Sequence, residues 1–177
     1  MDEARIIELC RQGELGLLDE LVHLHADSLY RFCYHLSGNA DGAAELFQDT
    51  WLKAVRNFHK CKAEDTILGW LFTIAANLQR DLYRRRGRWL KALAHHRLDF
   101  PSSPSPEDIV TNQEKDSLVR RAVNELKEAQ RIPLLLHYFE NYSIETIAAL
   151  LNVPSGTIKS RLHRARRNLK NRLEVLL

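Results

Sequence analysis

The sequence predicts an all-α protein of two small helical domains joined by an acidic, Pro/Ser-rich linker. Three observations carry that prediction. Apolar residues recur at helical spacing through almost every segment between the punctuating Gly and Pro residues, and no alternating apolar/polar run competes for a strand. The stretch HHRLDFPSSPSPED holds Pro101, Pro104 and Pro106 among three serines, which cannot continue a helix. Basic residues crowd 80–97 and again 159–172, whereas acids crowd 99–116, so charge divides the chain locally although its formal net charge is only +3. The expected boundaries are 1–95 for the first domain, 96–111 for a flexible linker and 112–177 for the second domain.

The elements follow in order. Residues 15–36 carry Leu17, Leu18, Leu21, Val22, Leu29, Phe32 and Cys33 on one helical face. SGNADG (37–42) is a turn. Residues 43–58 resume a helix through Leu46, Phe47, Thr50, Trp51, Ala54 and Val55. HKCKAED (59–65) is polar and aperiodic, and breaks it. Residues 67–89 read as one long helix, apolar first and basic afterwards. Beyond the prolines, helical patterning returns near Glu107 and continues to the end.

In NYSIETIAALLN, Ser143 is an N-cap, Tyr142 and Ile147 are spaced as a hydrophobic staple, and Ile144, Ile147, Ala148 and Leu151 face inward. NVPSG then connects tightly, with Pro154 and Gly156 ending one helix and opening the next and Ser155 or its neighbour as the new cap. Two helices around so short a connection form a helix-turn-helix. The second helix carries an inward stripe of Ile158, Leu162, Ala165, Leu169 and Leu173. Its other faces hold Lys159, Arg161, His163, Arg164, Arg166, Arg167, Lys170 and Arg172, and the stretch 153–173 contains no acid. A basic second helix fits the major groove of DNA. Lys159, Ser160, His163 and Arg164 lie where base edges are reachable, and Arg161, Arg166, Arg167 and Lys170 where phosphates are.

Other classes find little support. Cys10, Cys33 and Cys61 form no paired framework, which fits a reducing compartment. The N-terminus is acidic and mixed, and no apolar run approaches membrane length, so a cytoplasmic protein without direct membrane insertion is expected. His23, His25, Cys33 and His35 do not make a metal site, because neighbours two apart on a helix point about 200° apart. No Gly-rich phosphate loop, nucleophile elbow or carboxylate pair is present. The expectation is therefore no enzyme, no small-molecule substrate, no cofactor and no metal.

GTIKSRLHRAR (156–166) resembles the G-T-V-K-S-R-L-x-R-A-R pattern of domain four in bacterial sigma-70-family sigma factors, specifically the small extracytoplasmic-function (ECF) group. Gly156, Thr157, Lys159, Ser160, Arg161, Leu162, Arg164, Ala165 and Arg166 match, and Ile158 replaces Val. The preceding YSIETIAALLNVPSG is similar to the family's first motif helix. One departure is LKEAQRIPLLLHYFE (126–140), where the family usually starts with Leu-Pro-Glu. The resemblance implies recognition of the −35 promoter element by Thr157, Lys159, Ser160, Arg161, His163, Arg164, Arg166 and Arg167.

The first half resembles the same family independently. AAELFQDTWLKA (43–54) is similar to A-E-D-L-V-Q-E-T-F, the helix that binds the clamp helices of the polymerase β′ subunit. That implies polymerase contacts at Glu45, Gln48, Asp49 and Thr50; Ala44 stands where the family has an acid and Trp51 where it has Phe. ILGWLFTIAANLQRDLYRRRGR (67–88) resembles F-x-x-W-L-Y-x-I-A-x-N-x-x-x-D-x-x-R-x-x-x-R, with Trp70, Leu71, Ile74, Ala75, Asn77, Asp81 and Arg84 matching. In the family this helix and the loop before it, here 59–66, take up the −10 element. Single-strand binding needs a basic track and stacking platforms. Phe58, Lys62, Asn77, Arg80, Tyr83, Arg84, Arg85 and Arg88 are the implied −10 residues, with Arg86 also on the track, while Trp70 reads as core. The implied partners are core RNA polymerase through its β and β′ subunits, promoter DNA and an anti-sigma factor. An autonomous helix-turn-helix regulator would lack the 43–54 and 67–88 segments. A basic module gripping an acidic protein would have no promoter-dependent effect.

Overall fold

The computed structural model describes residues 3–61, 66–94 and 113–176. Eight α-helices occupy them, and no strand occurs among the described residues. The linker expected at 96–111 and Lys62 lie outside them.

The first helix, α1 (Glu3–Arg11), precedes the first apolar run. Nine residues with only Ile6 and Cys10 buried give too little period to read from sequence. It lies on α2 (Leu18–Ser37) and on a 3₁₀ turn at Phe58–Lys60. His25 Nε2 reaches Glu3 Oε1 at 3.0 Å and ties α1 down. Gly38 ends α2 in the left-handed conformation, φ 84°, and its N–H donates to the Tyr34 carbonyl.

The turn expected at 37–42 is shorter in the structure. Asn39 accepts the Gly42 N–H at 2.7 Å, so α3 (Ala40–Asn57) starts three residues earlier. α4 (Ile67–Ala94) outruns the expected 67–89. Its first half is buried through Ile67, Leu71, Phe72, Ile74, Ala75 and Ala76. Phe72 meets Phe32 of α2 with ring centroids 4.4 Å apart, a pairing that adds about 0.5–1.5 kcal/mol beyond burial. Cys10, Cys33 and Cys61 are free and buried, and burial pushes the Cys33 thiol up to about 12, far from a reactive thiolate.

The second half contains α5 (Gln113–Asn124), α6 (Glu128–Tyr138), α7 (Ile144–Leu151) and α8 (Ser155–Leu176). The helix at the family's Leu-Pro-Glu position starts at Glu128, after an uncapped Lys127. Pro133 sits inside α6 without ending it, because the buried run Arg131 to Leu136 holds that turn against its neighbours. Ser143 caps α7 as expected, accepting from Thr146 N–H at 3.0 Å. The α7–α8 connection departs from expectation. Asn152, φ 50°, makes the left-handed turn and Gly156 lies inside α8. Asn tolerates that conformation because its short polar side chain suits it.

The two domains dock on each other. α2 lies against α5 and α6, and α4 lies against α7. Phe72 meets Tyr142 edge-on with ring centroids 6.1 Å apart, Thr73 Oγ1 reaches the Leu150 carbonyl at 3.4 Å, and His35 packs against Phe139 with tilted rings 4.3 Å apart. A Cβ at Gly38 would meet Asn124 Nδ2 at 2.7 Å, so this glycine serves both its turn and the close approach of α5.

Candidate nucleic-acid and polymerase interfaces

The stripe of α8 buries Ile158, Leu162 and Ala165 against the rest of its domain, with Leu169 partly buried beside them. That fixes which faces remain outside. Lys159, Ser160, His163, Arg164, Arg166 and Arg167 are exposed, and Thr157 and Arg161 are half-buried at the edge. All the predicted residues therefore fall on one continuous helix. Among the described residues, no carboxylate pairs with Lys159, Arg161, His163, Arg164, Arg166 or Arg167. Ser160 spends its hydroxyl proton on the Thr157 carbonyl at 2.9 Å and so offers lone pairs outward. The far end of α8 is anchored instead. Arg172 pairs with Glu125, Asn168 Nδ2 donates to Gln130 Oε1 at 3.1 Å, and Lys170 lies 3.7 Å from Glu174. The open charge thus lies between Lys159 and Arg167 of α8.

The basic half of α4 is built differently. Arg84, Arg85, Arg86 and Arg88 are exposed and form no ion pair among the described residues. One turn earlier, the polar groups are occupied. Arg80 Nη1 donates to Asn77 Oδ1 at 3.0 Å. Its Nε lies 3.3 Å from Glu128 Oε1 of α6, a charge contact without hydrogen-bond geometry, since that oxygen has no hydrogen-bond partner. Tyr83 accepts from Arg131 Nη2 at 3.2 Å, and the guanidinium carbon lies 5.6 Å from the Tyr83 ring centroid. Burial pushes the Tyr83 hydroxyl up, but the hydrogen bond and charge of Arg131, aided by Gln79, outweigh it and hold the phenol below its usual range. Arg131 is itself 2 % exposed and donates from Nη1 to the Asn124 carbonyl at 3.1 Å, closing the end of α5. Neither Glu128 nor Arg131 stands out in sequence, because the residues they meet lie 48 positions away.

Two expected site residues are corrected. Phe58 is 2 % exposed and packs on Trp70 with centroids 5.5 Å apart, so it belongs to the core and presents no face to a base. Thr50 is fully buried, and its hydroxyl donates to the Leu46 carbonyl at 2.6 Å, leaving nothing to offer a partner. On α3, Glu45, Gln48 and Asp49 are exposed together. Leu52, 48 % exposed, continues that face one turn on and was not expected from sequence.

Among the described residues no group of His, Cys, Asp or Glu is arranged to hold a metal ion, and no helix is long and apolar enough to cross a membrane. His23 bonds the Asp19 carbonyl at 2.7 Å.

Two docked helical domains, the second ending in a helix-turn-helix with an open basic helix, define a sigma-70 type of transcription initiation factor. Residues 21–89 match the family Sigma-70 region 2, and residues 117–169 match Sigma-70, region 4. The chain is 38 % identical over 164 residues to the ECF RNA polymerase sigma factor SigE of Mycolicibacterium smegmatis, covering 92 % of this chain and 63 % of that protein. It is 37 % identical over 149 residues to the ECF RNA polymerase sigma factor EcfG of Rhodopseudomonas palustris, covering 84 % of this chain and 80 % of that one. The sigma factor RpoE of Bartonella quintana, solved in complex with the anti-sigma factor NepR, superposes with a TM-score of 0.70 at 30 % identity, over 89 % of this chain and 97 % of that one. The chain belongs to the ECF RNA polymerase sigma factors. It spans just under two thirds of the length of the Mycolicibacterium relative.

Proposed function

We propose that the protein is a dissociable, non-catalytic initiation factor of the cytoplasm that binds core RNA polymerase and directs it to promoters with particular −10 and −35 elements. The observation that carries this reading is the unpaired basic face at the N-terminal half of α8, on the second helix of a helix-turn-helix, in a chain whose first half matches region 2. In this reading the region 2 domain occupies 1–95 and the region 4 domain 112–177, with 96–111 as a tether. Thr157, Lys159, Ser160, Arg161, His163, Arg164, Arg166 and Arg167 serve the −35 duplex. Asn77, Arg80, Tyr83, Arg84, Arg85 and Arg88, with Lys62 of the preceding loop, serve the −10 strand. Glu45, Gln48 and Asp49, joined by Leu52, meet the β′ subunit, and the β subunit completes the holoenzyme. The Bartonella relative was solved with an anti-sigma factor, which supports a protein inhibitor of that kind for this chain.

The test is run-off transcription from fragmented genomic DNA, with purified protein and core polymerase. The expected products share a −10 and a −35 sequence upstream of their starts. Products identical to those of core enzyme alone contradict the reading.

A further inference from the structure

α3 changes sign along its exposed side. Asp41, Glu45 and Asp49 occupy its first part, and Lys53 and Arg56 its last. The 3₁₀ turn that follows adds exposed His59 and Lys60, and no acid interrupts the run from Lys53 to Lys60. Ala54 and Phe58 are buried beneath it and turn these four side chains outward. Among the described residues, no carboxylate pairs with any of the four. The helix dipole favours a cation in the last turn of a helix, which accounts for Arg56 and not for the other three.

We propose that Lys53, Arg56, His59 and Lys60 form a second nucleic-acid site, which grips the phosphates of the melted strand between the −10 element and the transcription start. The proposal rests on the assignment of α4 to the −10 element. Its direction follows from connectivity. From the C-terminal end of α4 the chain leads to the region 4 domain, which takes the upstream −35 duplex, so the arginine track is the upstream end of α4. The Phe58 turn lies against Trp70 at the opposite, downstream end. Trp70 to Arg84 spans about 21 Å of helix. A strand advances about 3.4 Å per nucleotide, so one of roughly six nucleotides or more bridges both basic sites.

The chemistry of the patch selects a phosphate chain. Arg56 offers a planar fork that matches phosphate oxygens, and Lys53 and Lys60 offer compact charges beside it. The patch runs without a break into the 59–66 loop, so a strand taken up by that loop passes over it. The acidic first part of α3 repels the same strand and remains for the polymerase. Phosphate contacts carry no base information. The site therefore adds grip and leaves the choice of −10 sequence to α4 and the loop.

The experiment uses the full chain carrying Lys53→Gln and Arg56→Gln together, two exposed positions outside the core. The probes are labelled oligothymidine strands of about four and about twelve nucleotides, lengths in the range that single-strand sites occupy. Fluorescence anisotropy over a salt series reads affinity and slope. On the longer strand the log–log salt slope should shrink by about 1.4, the value for two phosphates of a single strand. The shorter strand cannot bridge the two sites, so its affinity should fall by no more than about half. Lys53→Arg with Arg56→Lys keeps both charges and should restore the slope. In the holoenzyme the Gln variant should release promoter DNA faster while its run-off products share the wild-type −10 sequence. An unchanged slope on the longer strand overturns the proposal. So does an altered −10 preference, or a loss of polymerase capture with strand binding intact, which would give the patch to the polymerase. If the slope shrinks but wild-type protein fails to initiate with core polymerase, the strand site stands and the proposed function fails. If wild type initiates and the slope is unchanged, the reverse holds.

Discussion

α4 and α8 are both rich in arginine, the first apolar then basic and the second basic around an apolar stripe, and they stand in opposite situations. α8 is docked by its stripe into its own domain, and its basic N-terminal half faces solvent without an acidic partner. α4 is shared between domains. Its apolar half is core, its arginine track is open, and the turn between them is held by α6. Charge runs therefore report where nucleic acid can be held. Which part of a run is free to read bases depends on tertiary contacts that no local pattern contains.

The largest test of that contrast compares two leucines. Leu162 of α8 is 3 % exposed and Leu82 of α4 is 57 % exposed. Leu162→Ala should destabilise the region 4 domain by about 2–5 kcal/mol. Leu82→Ala should stay within about 0.5 kcal/mol. Denaturant unfolding of the two variants decides, and equal losses would break the assignment of buried and open faces.

Arg164→Ala comes next. Loss of a bidentate base contact is expected to cost about 1–3 kcal/mol of affinity for a −35 duplex in free protein and holoenzyme alike. Arg84→Ala, a phosphate contact on the open track, should lower binding evenly across sequences and reduce the salt slope by about one. Fluorescence anisotropy over a salt series separates the two. In parallel, Asp49→Lys should weaken capture by core polymerase without shifting the melting temperature, since Asp49 is exposed and Thr50 beneath it is the buried neighbour.

The domain contact also has a pH signature. Burial lowers the His35 pKa, and Arg120 and Arg31 lower it further. A group whose folded pKa is depressed contributes stability that is present above its unfolded value, about 6.5, and is lost as pH falls through the folded value. Glu140, raised by burial against the pull of Arg31, works in the opposite direction, because a group with a raised folded pKa adds stability as pH falls and loses it as pH rises. Acidifying from neutral pH should thus loosen the His35–Phe139 contact, seen as expansion by scattering. His35→Gln should remove most of that dependence, and an unchanged pH profile in the variant would assign it elsewhere.

The smallest effect is expected at Gly156. A Cβ there would meet nothing within 4 Å. Gly156→Ala should leave stability unchanged or raise it by up to about 1 kcal/mol, because glycine is a poor helix residue. If the start of α8 lies close to the DNA backbone, the same change lowers duplex affinity, so a stability gain with an affinity loss sharpens the contrast between the two helices.

Much of this was legible in sequence. The helical period located α2, α3, α4, α7 and α8, and Ser143 announced its cap. The misses have local reasons. α1 offers two anchors only. Asn39 lies inside a stretch that reads as a turn, so the start of α3 is displaced. The break between α5 and α6 at Glu125 to Lys127 contains neither Gly nor Pro. Asn152 makes the left-handed turn beside a proline and a glycine that draw the eye. Thr50 illustrates a conflict of signals: the apolar period already grouped it with Leu46 and Ala54 on the inward face, while family resemblance put it among the polymerase contacts. The pairing of Glu128 and Arg131 with α4 has no periodic signature at all, because it joins residues from opposite ends of the linker.

The account's central claim is that the basic N-terminal half of α8 is free of protein partners, whereas Arg80 and Tyr83 of α4 are engaged by α6. Photocrosslinking measures this directly, with a photoreactive side chain at position 163 of α8 or position 83 of α4 in the presence of promoter DNA. The account predicts that position 163 crosslinks to DNA and that position 83 crosslinks to α6 of the same chain. A crosslink from position 163 into protein, or none from position 83 to α6, would contradict it.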